Sequence, residues 1–169
     1  MSNDGSHFSL RLAGGQLMAA RLAALSEQGP GPHRMESVMS VNGVPYINDS
    51  RSTFLDATLE SLSQMEGKVI WIVGDLSNEM EEGYVQDIVR EKVAAMVLFG
   101  RPADAVEGEG MAPVEQLYVT HELRTAVFLA NELARPGESV LFSPACPSGN
   151  GFANYEERGA EFKRAVRDL

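Results

Sequence analysis

The sequence predicts an α/β fold: a mostly parallel sheet with an antiparallel edge hairpin and helices on both faces. Three observations carry this. Short continuous apolar runs (KVIWIVGD, AAMVLFG, EQLYVT and SVLF) alternate with amphipathic segments, the pattern of strands buried on both faces and joined by crossover helices. Asn42-Gly43 sits between two β-rich runs, the strongest short-range hairpin signal. The 169 residues are 44% hydrophobic, enough for one ordinary domain with a sizeable core.

Residues 1–12 read as a loose arm. Leu17, Met18, Leu22 and Leu25 fall near helical spacing, which predicts a helix over 15–27. GPGPH breaks it, and a linker is expected at 28–33. Strands over 35–41 and 44–48 pair through the Asn-Gly turn. In STFLDATLESLSQM, Ser52 or Thr53 is expected to cap a helix whose face carries Leu55, Thr58, Leu59 and Leu62. KVIWIVGD follows as a strand, EGYVQDIVREKV as an amphipathic helix and AAMVLFG as the next strand. RPADAVEGEGMAPV is loop and EQLYVT a further strand. HELRTAVFLANELA is a helix stopped by RPG. SVLF is the last strand, and a final helix is expected over 154–168. The chain thus divides into an arm and helix at 1–31 and one domain at 32–169, with no internal repeat or low-complexity tract.

Composition narrows the function. The formal net charge of −10 argues against an electrostatic grip on nucleic acid or an anionic membrane, which needs clustered Lys and Arg. The single cysteine, Cys146, excludes an internal disulfide or a zinc site built mainly from Cys, and fits a reducing compartment. No apolar run approaches the ~18 residues of a membrane helix. MSNDGSHFSLRL lacks a basic stretch followed by an apolar one, so no signal peptide is expected.

In parallel sheets of this kind ligands bind outside the carboxyl ends of the strands. That rule selects the loops at 49–53, 74–82, 100–113 and 143–153. NDSRST leads from a strand into a helix, where Ser52 and Thr53 either cap the helix or, with its free N–H groups, hold an anion. Asp49 and Arg51 either pair with each other or meet a ribose and a phosphate. Asp75, Glu79, Glu81 and Glu82 read as a solvated acidic loop; a metal is the sharper alternative, without a recognisable ligand spacing. SPACPSGNGF places Ser143, Cys146, Ser148 and Asn150 before a helix. Cys146 reads as a small buried thiol rather than a nucleophile, because neither His33 nor His121 comes with a supporting motif. Ser148 and nearby N–H groups are candidates for holding a substrate carboxylate. His7, His33 and His121 are scattered, so no metal is expected there. No G-x-x-x-x-G-K-[ST] loop occurs, and GEGMAP is not a dinucleotide fingerprint.

Taken together, PHRMESV, VNGVPYINDSRST, KVIWIVGD and LFSPACPSGNGFANYEERGAEFKRAV resemble the C-terminal domain of the Mur ligase family. The resemblance is to the type that adds D-glutamate to UDP-N-acetylmuramoyl-L-alanine, and it runs from about residue 32 to the end. It implies a Rossmann-like domain that closes over ATP and brings in the amino acid, within a cytoplasmic enzyme of peptidoglycan-precursor (cell wall) synthesis. The family's other two domains bind the UDP-sugar and carry the phosphate loop, so ATP and Mg are implied only through the central domain. There an acyl phosphate made from ATP is attacked by the incoming amine. Residues 15–27 are a candidate for the last helix of that central domain.

The resemblance assigns Arg34 and Asp49 to ATP, and Thr53, Ser148 and Tyr155 to D-glutamate or a related amino acid; Arg51, next to Asp49, and Gly149, next to Ser148, are added as candidates for the same two ligands. It assigns no catalytic residue and no metal ligand to this chain. Other Mur ligase domains are the implied protein partners. The family usually carries D-S-K-A-T-N where this chain has D-S-R-S-T-F, and C-A-S-x-D-x-F where it has C-P-S-G-N-G-F. The family's lysine after the KVIWIVGD strand is replaced by acids. Three readings stay open: a ligase C-terminal domain that does not turn over alone, a free-standing degenerate relative that binds a ligand or partner without catalysis, and an unrelated nucleotide-binding α/β module.

Overall fold

The computed structural model describes residues 29–76, 83–101, 114–149 and 151–169, together with Gln16, Ala19, Ala20, Ala23 and Ala24. Those five are helical, as expected for 15–27; the rest of that segment lies outside the described residues. So do Glu79, Glu81, Glu82 and Asn150, and most of the loop at 100–113.

After that segment, the described residues form six strands and four helices in the predicted order. They are β1 (Glu36–Val41), β2 (Val44–Asn48), α1 (Leu55–Gln64), β3 (Val69–Val73), α2 (Gly83–Lys92), β4 (Val93–Phe99), β5 (Leu117–Thr120), α3 (Leu123–Leu133), β6 (Ser139–Phe142) and α4 (Tyr155–Arg167). They form one sheet of order β1-β2-β6-β3-β4-β5. β1 is antiparallel to β2, and every other pair is parallel. Asn42 and Gly43 close the hairpin with φ of 51° and 83°, the left-handed pair that a type I′ turn demands.

Period-two alternation sends successive strand residues to opposite faces. From β3, Val69, Trp71 and Val73 join the layer under α1 and α2. Ile70 and Ile72 join the layer under α3 and α4. In β4 a register shift opposite Val69/Ile70 admits one extra residue, Ala94, so the alternation resets there. Helical spacing supplies the cover: Leu55, Leu59 and Leu62 from α1, Val85 and Val89 from α2, Leu123, Val127 and Ala130 from α3, and Phe162 and Val166 from α4. Phe142 stacks on Phe162 at 4.8 Å between centroids, and each such buried ring contributes about 2–3 kcal/mol of transfer free energy.

α1 does not begin as expected. Phe54 occupies its N-cap position with no side-chain cap. Ser52 is instead committed to Asp49 Oδ2, to which its hydroxyl donates at 2.6 Å. α4 is capped conventionally, Asn154 Oδ1 accepting from the Glu157 N–H at 2.8 Å while a Glu157 carboxylate oxygen accepts from the Ala153 N–H at 2.7 Å.

The topology locates a crevice. The chain leaves β2 toward α1 on one face of the sheet, and leaves the neighbouring β6 toward α4 on the other. Adjacent strands whose connections diverge in this way open a cleft at their carboxyl ends.

Candidate functional site

The cleft is built on Asp49, the residue after β2. Its carboxylate is fully buried and accepts five hydrogen bonds. Oδ1 takes Arg34 Nη1 at 3.3 Å and the Met35 N–H at 3.1 Å. Oδ2 takes the hydroxyls of Ser52, Ser61 and Ser143 at 2.6, 2.7 and 2.7 Å. Ser143 comes from the far side of the cleft, at the end of β6, and also meets Thr58 Oγ1 at 2.7 Å. A buried carboxylate is tolerated when its lone pairs are filled in this way.

Arg34 is 7% exposed and is held from beneath. Nη1 also donates to Ser52 Oγ and Ser61 Oγ at 2.8 and 2.9 Å, and Nη2 pairs with buried Glu60. Two carboxylates thus face one guanidinium. Burial raises the Glu60 carboxyl above its ordinary range; the Arg34 charge opposes this and the Asp49 charge adds to it. The backbone is bent to deliver Arg34. His33 and Met35 on either side have φ of 60° and 46°, a left-handed conformation that costs non-glycine residues about 1 kcal/mol each. Gly31 and Arg34 exchange backbone hydrogen bonds at 2.8 and 3.0 Å, so the segment expected as linker is a tight turn.

Above Arg34 lies a pocket of about 280 Å³ lined by Arg34, Arg51, Ser52, Thr53, Phe54, Ala57 and Tyr155. Sequence reasoning divided Arg34, Arg51, Thr53 and Tyr155 between two ligands; the structure brings all four to one pocket. Asp49 pairs with Arg34, not with Arg51, because the bent turn carries Arg34 under the loop while Arg51 is exposed. Ser148 is half-buried and Gly149 exposed, and neither lines this pocket. A larger pocket of about 460 Å³ includes Gly43, Gly67 and Gly137, at the opposite end of the strands and without a lining cation; the smaller one holds the charges and sits at the carboxyl edge.

His33 also belongs to the site. Its Nδ1 lies 3.0 Å from Ser50 Oγ and 3.3 Å from Asn48 Nδ2, and its ring meets Tyr155 edge-on at 5.8 Å. The Asn48 amide is a donor, so Nδ1 is the accepting nitrogen. Burial lowers the His33 pKa, as does the Lys163 charge; Glu36 and Glu156 pull the other way. The adjoining Gly159 allows this close approach, since a Cβ there would stand 2.3 Å from both His33 Nδ1 and Ser50 Oγ. Nothing in the local pattern around His33, Glu60 or Ser61 marks them as site residues. A glycine inside an amphipathic helix, at 159, was the one available signal of close packing there.

The loop after β6 is pinned at several points. The Ala145 N–H donates to Ser52 O at 3.1 Å and the Gly74 N–H to Pro144 O at 2.9 Å; Trp71 Nε1 donates to Ser143 O at 2.8 Å. A Cβ on Gly74 would meet Cys146 Sγ at 2.3 Å. Among the described residues, no three His, Cys, Asp or Glu side chains are grouped to hold a metal. Asp75, from the acidic loop, pairs with Arg101 at the end of β4. Among the described residues no helix is long and apolar enough to cross a membrane.

Chemically, the edge offers two guanidinium groups, a threonine hydroxyl and two aromatic rings around one pocket, an arrangement suited to an anionic ligand with a planar or apolar part. Comparison with known proteins agrees with this reading of the fold. Residues 33–146 match the family model described as "Mur ligase, glutamate ligase domain". The chain is 39% identical over 141 residues to the UDP-N-acetylmuramoylalanine–D-glutamate ligase of Christiangramia forsetii, covering 81% of this chain and 31% of that enzyme. It is 38% identical over 172 residues to the enzyme of the same name from Marinobacter nauticus, covering 100% of this chain and 38% of that one. The chain therefore spans about a third of the length of these curated relatives. Among solved structures, MurF from Acinetobacter baumannii superposes with a TM-score of 0.50 at 16% identity, over 83% of this chain and 31% of that one, which shows a shared fold.

Proposed function

Because the chain belongs to the Mur ligase family, as a glutamate ligase domain, we propose that it is the amino-acid- and ATP-binding domain of a peptidoglycan-precursor ligase that adds D-glutamate to UDP-N-acetylmuramoyl-L-alanine in the cytoplasm. The observation that carries this reading is the single pocket at the β2/β6 crevice lined by Arg34, Arg51, Thr53 and Tyr155. D-glutamate carries two carboxylates and a cationic amine. Arg51 and the rim of Arg34 would draw its carboxylates or a nucleotide phosphate, and Thr53 would orient them by hydroxyl donation, with Ser148, outside this pocket on the β6 loop, meeting a part of the ligand that extends beyond it. ATP with Mg, gripped chiefly by a central domain, would supply the activating phosphoryl group. On this chain exposed Arg51 fits a phosphate; Arg34, 7% exposed and already facing Asp49 and Glu60, would reach one only with its rim. Asp49 does not fit a ribose directly, because all five of its hydrogen bonds are internal; its part is to hold Arg34 still.

A second reading, a domain that binds a ligand or protein partner without catalysis, is favoured by one feature. Residues 74–82 contain no lysine and four acids, a composition that does not favour gripping an anion. Calorimetric titration with D-glutamate and with Mg-ATP separates the two. Saturable heat with either, weakened about ten-fold by Arg51→Ala for ATP or Ser148→Ala for D-glutamate, supports the ligase-domain reading. No heat at millimolar ligand contradicts it and favours the second.

A further inference from the structure

Arg158, in the second turn of α4, is 1% exposed and has no place in the ligand pocket. Its contacts are unusual for a buried guanidinium. Nη2 donates to Ser50 O and to Cys146 O, each at 3.1 Å. Nη1 donates to Pro147 O at 3.1 Å and lies 3.8 Å from Cys146 Sγ. Its buried Nε has no partner among the described residues. None of these contacts is a carboxylate, and burial disfavours its charged form, with Cys146 acting in the opposite sense. A buried cation that spends its donors on three backbone carbonyls is costly unless that geometry is needed.

The three carbonyls belong to two different loops. Ser50 lies in the loop after β2, which carries Arg51 and Thr53. Cys146 and Pro147 lie in the loop after β6, which carries Ser148 and Gly149. The turn of α4 that bears Arg158 is held close by Gly159 against His33 and Ser50, and by Lys163, whose Nζ lies 3.0 Å from Glu36. We propose that Arg158 is the positioning residue of this site: its guanidinium fork ties the β2 loop to the β6 loop, so that the two halves of the ligand edge are held at a fixed spacing as one unit. This rests on the reading of that edge as the ligand site, but the locking itself is a property of the free protein. Only a planar fork with several donors spans three carbonyls, so lysine, which keeps the charge but not the fork, cannot replace it.

The test is amide hydrogen exchange by NMR on the whole chain, wild type against Arg158→Lys and Arg158→Gln, with no ligand present. The amides of Arg51 and Ser52 report the β2 loop, and those of Ala145 and Phe152 the β6 loop; all four are hydrogen-bonded in the native state. In both variants the four should lose protection together, by about ten-fold or more, while the core-strand amides of Ile72 and Val97 hold theirs. Three results would overturn the proposal: unchanged protection, loss in one loop only, or equal loss in the core strands, which would make Arg158 a general stability residue. Titration of D-glutamate or Mg-ATP into the wild type tests the ligand-site reading separately. If the wild type binds, the affinity of each ligand should fall at least five-fold in Arg158→Lys and Arg158→Gln alike.

Discussion

Removing the Asp49 carboxylate should be among the most damaging single changes in this domain, and the hydrogen bonds indicate how damaging. In Asp49→Ala, five donors lose their acceptor at once. Some have alternatives: Ser61 Oγ already reaches Ala57 O at 3.0 Å, Ser143 Oγ can turn to Thr58 Oγ1 at 2.7 Å, and Arg34 keeps Glu60. The Ser52 hydroxyl and the Met35 N–H have none as close. A buried and a part-buried donor left unpaired cost about 1–2 kcal/mol each, and the lost charge-assisted bond from Arg34 about as much again, giving about 4 kcal/mol in all. For a domain of this size that is a fall in Tm of roughly 8–16 °C. Asp49→Asn keeps Oδ1 for Arg34 and Met35, and the rotatable hydroxyls can accept from its amide, so it should cost only about 1–2 kcal/mol. The assay is urea unfolding of both variants, read as a change in midpoint at constant m. A loss below about 1 kcal/mol for Asp49→Ala, or equal losses for Ala and Asn, would refute the claim that a filled carboxylate organises the site.

Gly159→Ala, which inside a helix usually gains up to about 1 kcal/mol, should instead lose about 1–3 kcal/mol, because the new methyl meets His33 and Ser50 at 2.3 Å; thermal unfolding would show the sign. Glu60 titrates above its ordinary 4.5 in the folded state, so the stability it adds is full below about pH 4.5 and is lost as pH rises through the folded value. Non-titrating Glu60→Gln should therefore lose less stability than wild type as pH rises from about 4.5, as followed by chemical unfolding at each pH. His33 has the opposite slope: with its folded value below 6.5, the stability tied to it is present above 6.5 and is lost as pH falls below that, a slope His33→Asn should remove. Arg51 is exposed and makes none of the site's buried bonds, so Arg51→Ala should leave the unfolding midpoint within about 0.5 kcal/mol of wild type while weakening Mg-ATP binding.

Why the sheet was so legible in the sequence, and the site less so, has a physical cause. Runs such as VIWIV and SVLF announce two-sided burial by composition alone, and Asn42-Gly43 fixes its turn through a backbone conformation few other pairs accept. The strand-end rule then pointed to the edge where Arg34, Arg51, Thr53 and Tyr155 line one pocket. What sequence could not show is which polar groups meet across long separations. Asp49 finds Ser143 94 positions away and Arg158 finds Ser50 108 positions away, and no local periodicity encodes such a pairing. The same gap explains the Ser52 expectation: a serine before a helix is a good cap unless a nearer buried carboxylate competes for its hydroxyl. It also explains why Asp49 and Arg51, neighbours in sequence, do not pair. The left-handed turns at His33 and Met35 swing Arg34 beneath the loop first.

If the β2/β6 crevice is the ligand edge of a glutamate ligase domain, adding D-glutamate, and separately Mg-ADP, to the isotopically labelled chain should move its amide chemical shifts in one place. Saturable shifts are expected at residues 49–54 and 144–155, with the amides of Gly43, Gly67 and Gly137 at the opposite end unmoved. Shifts centred on those glycines, or none at either end, would contradict it.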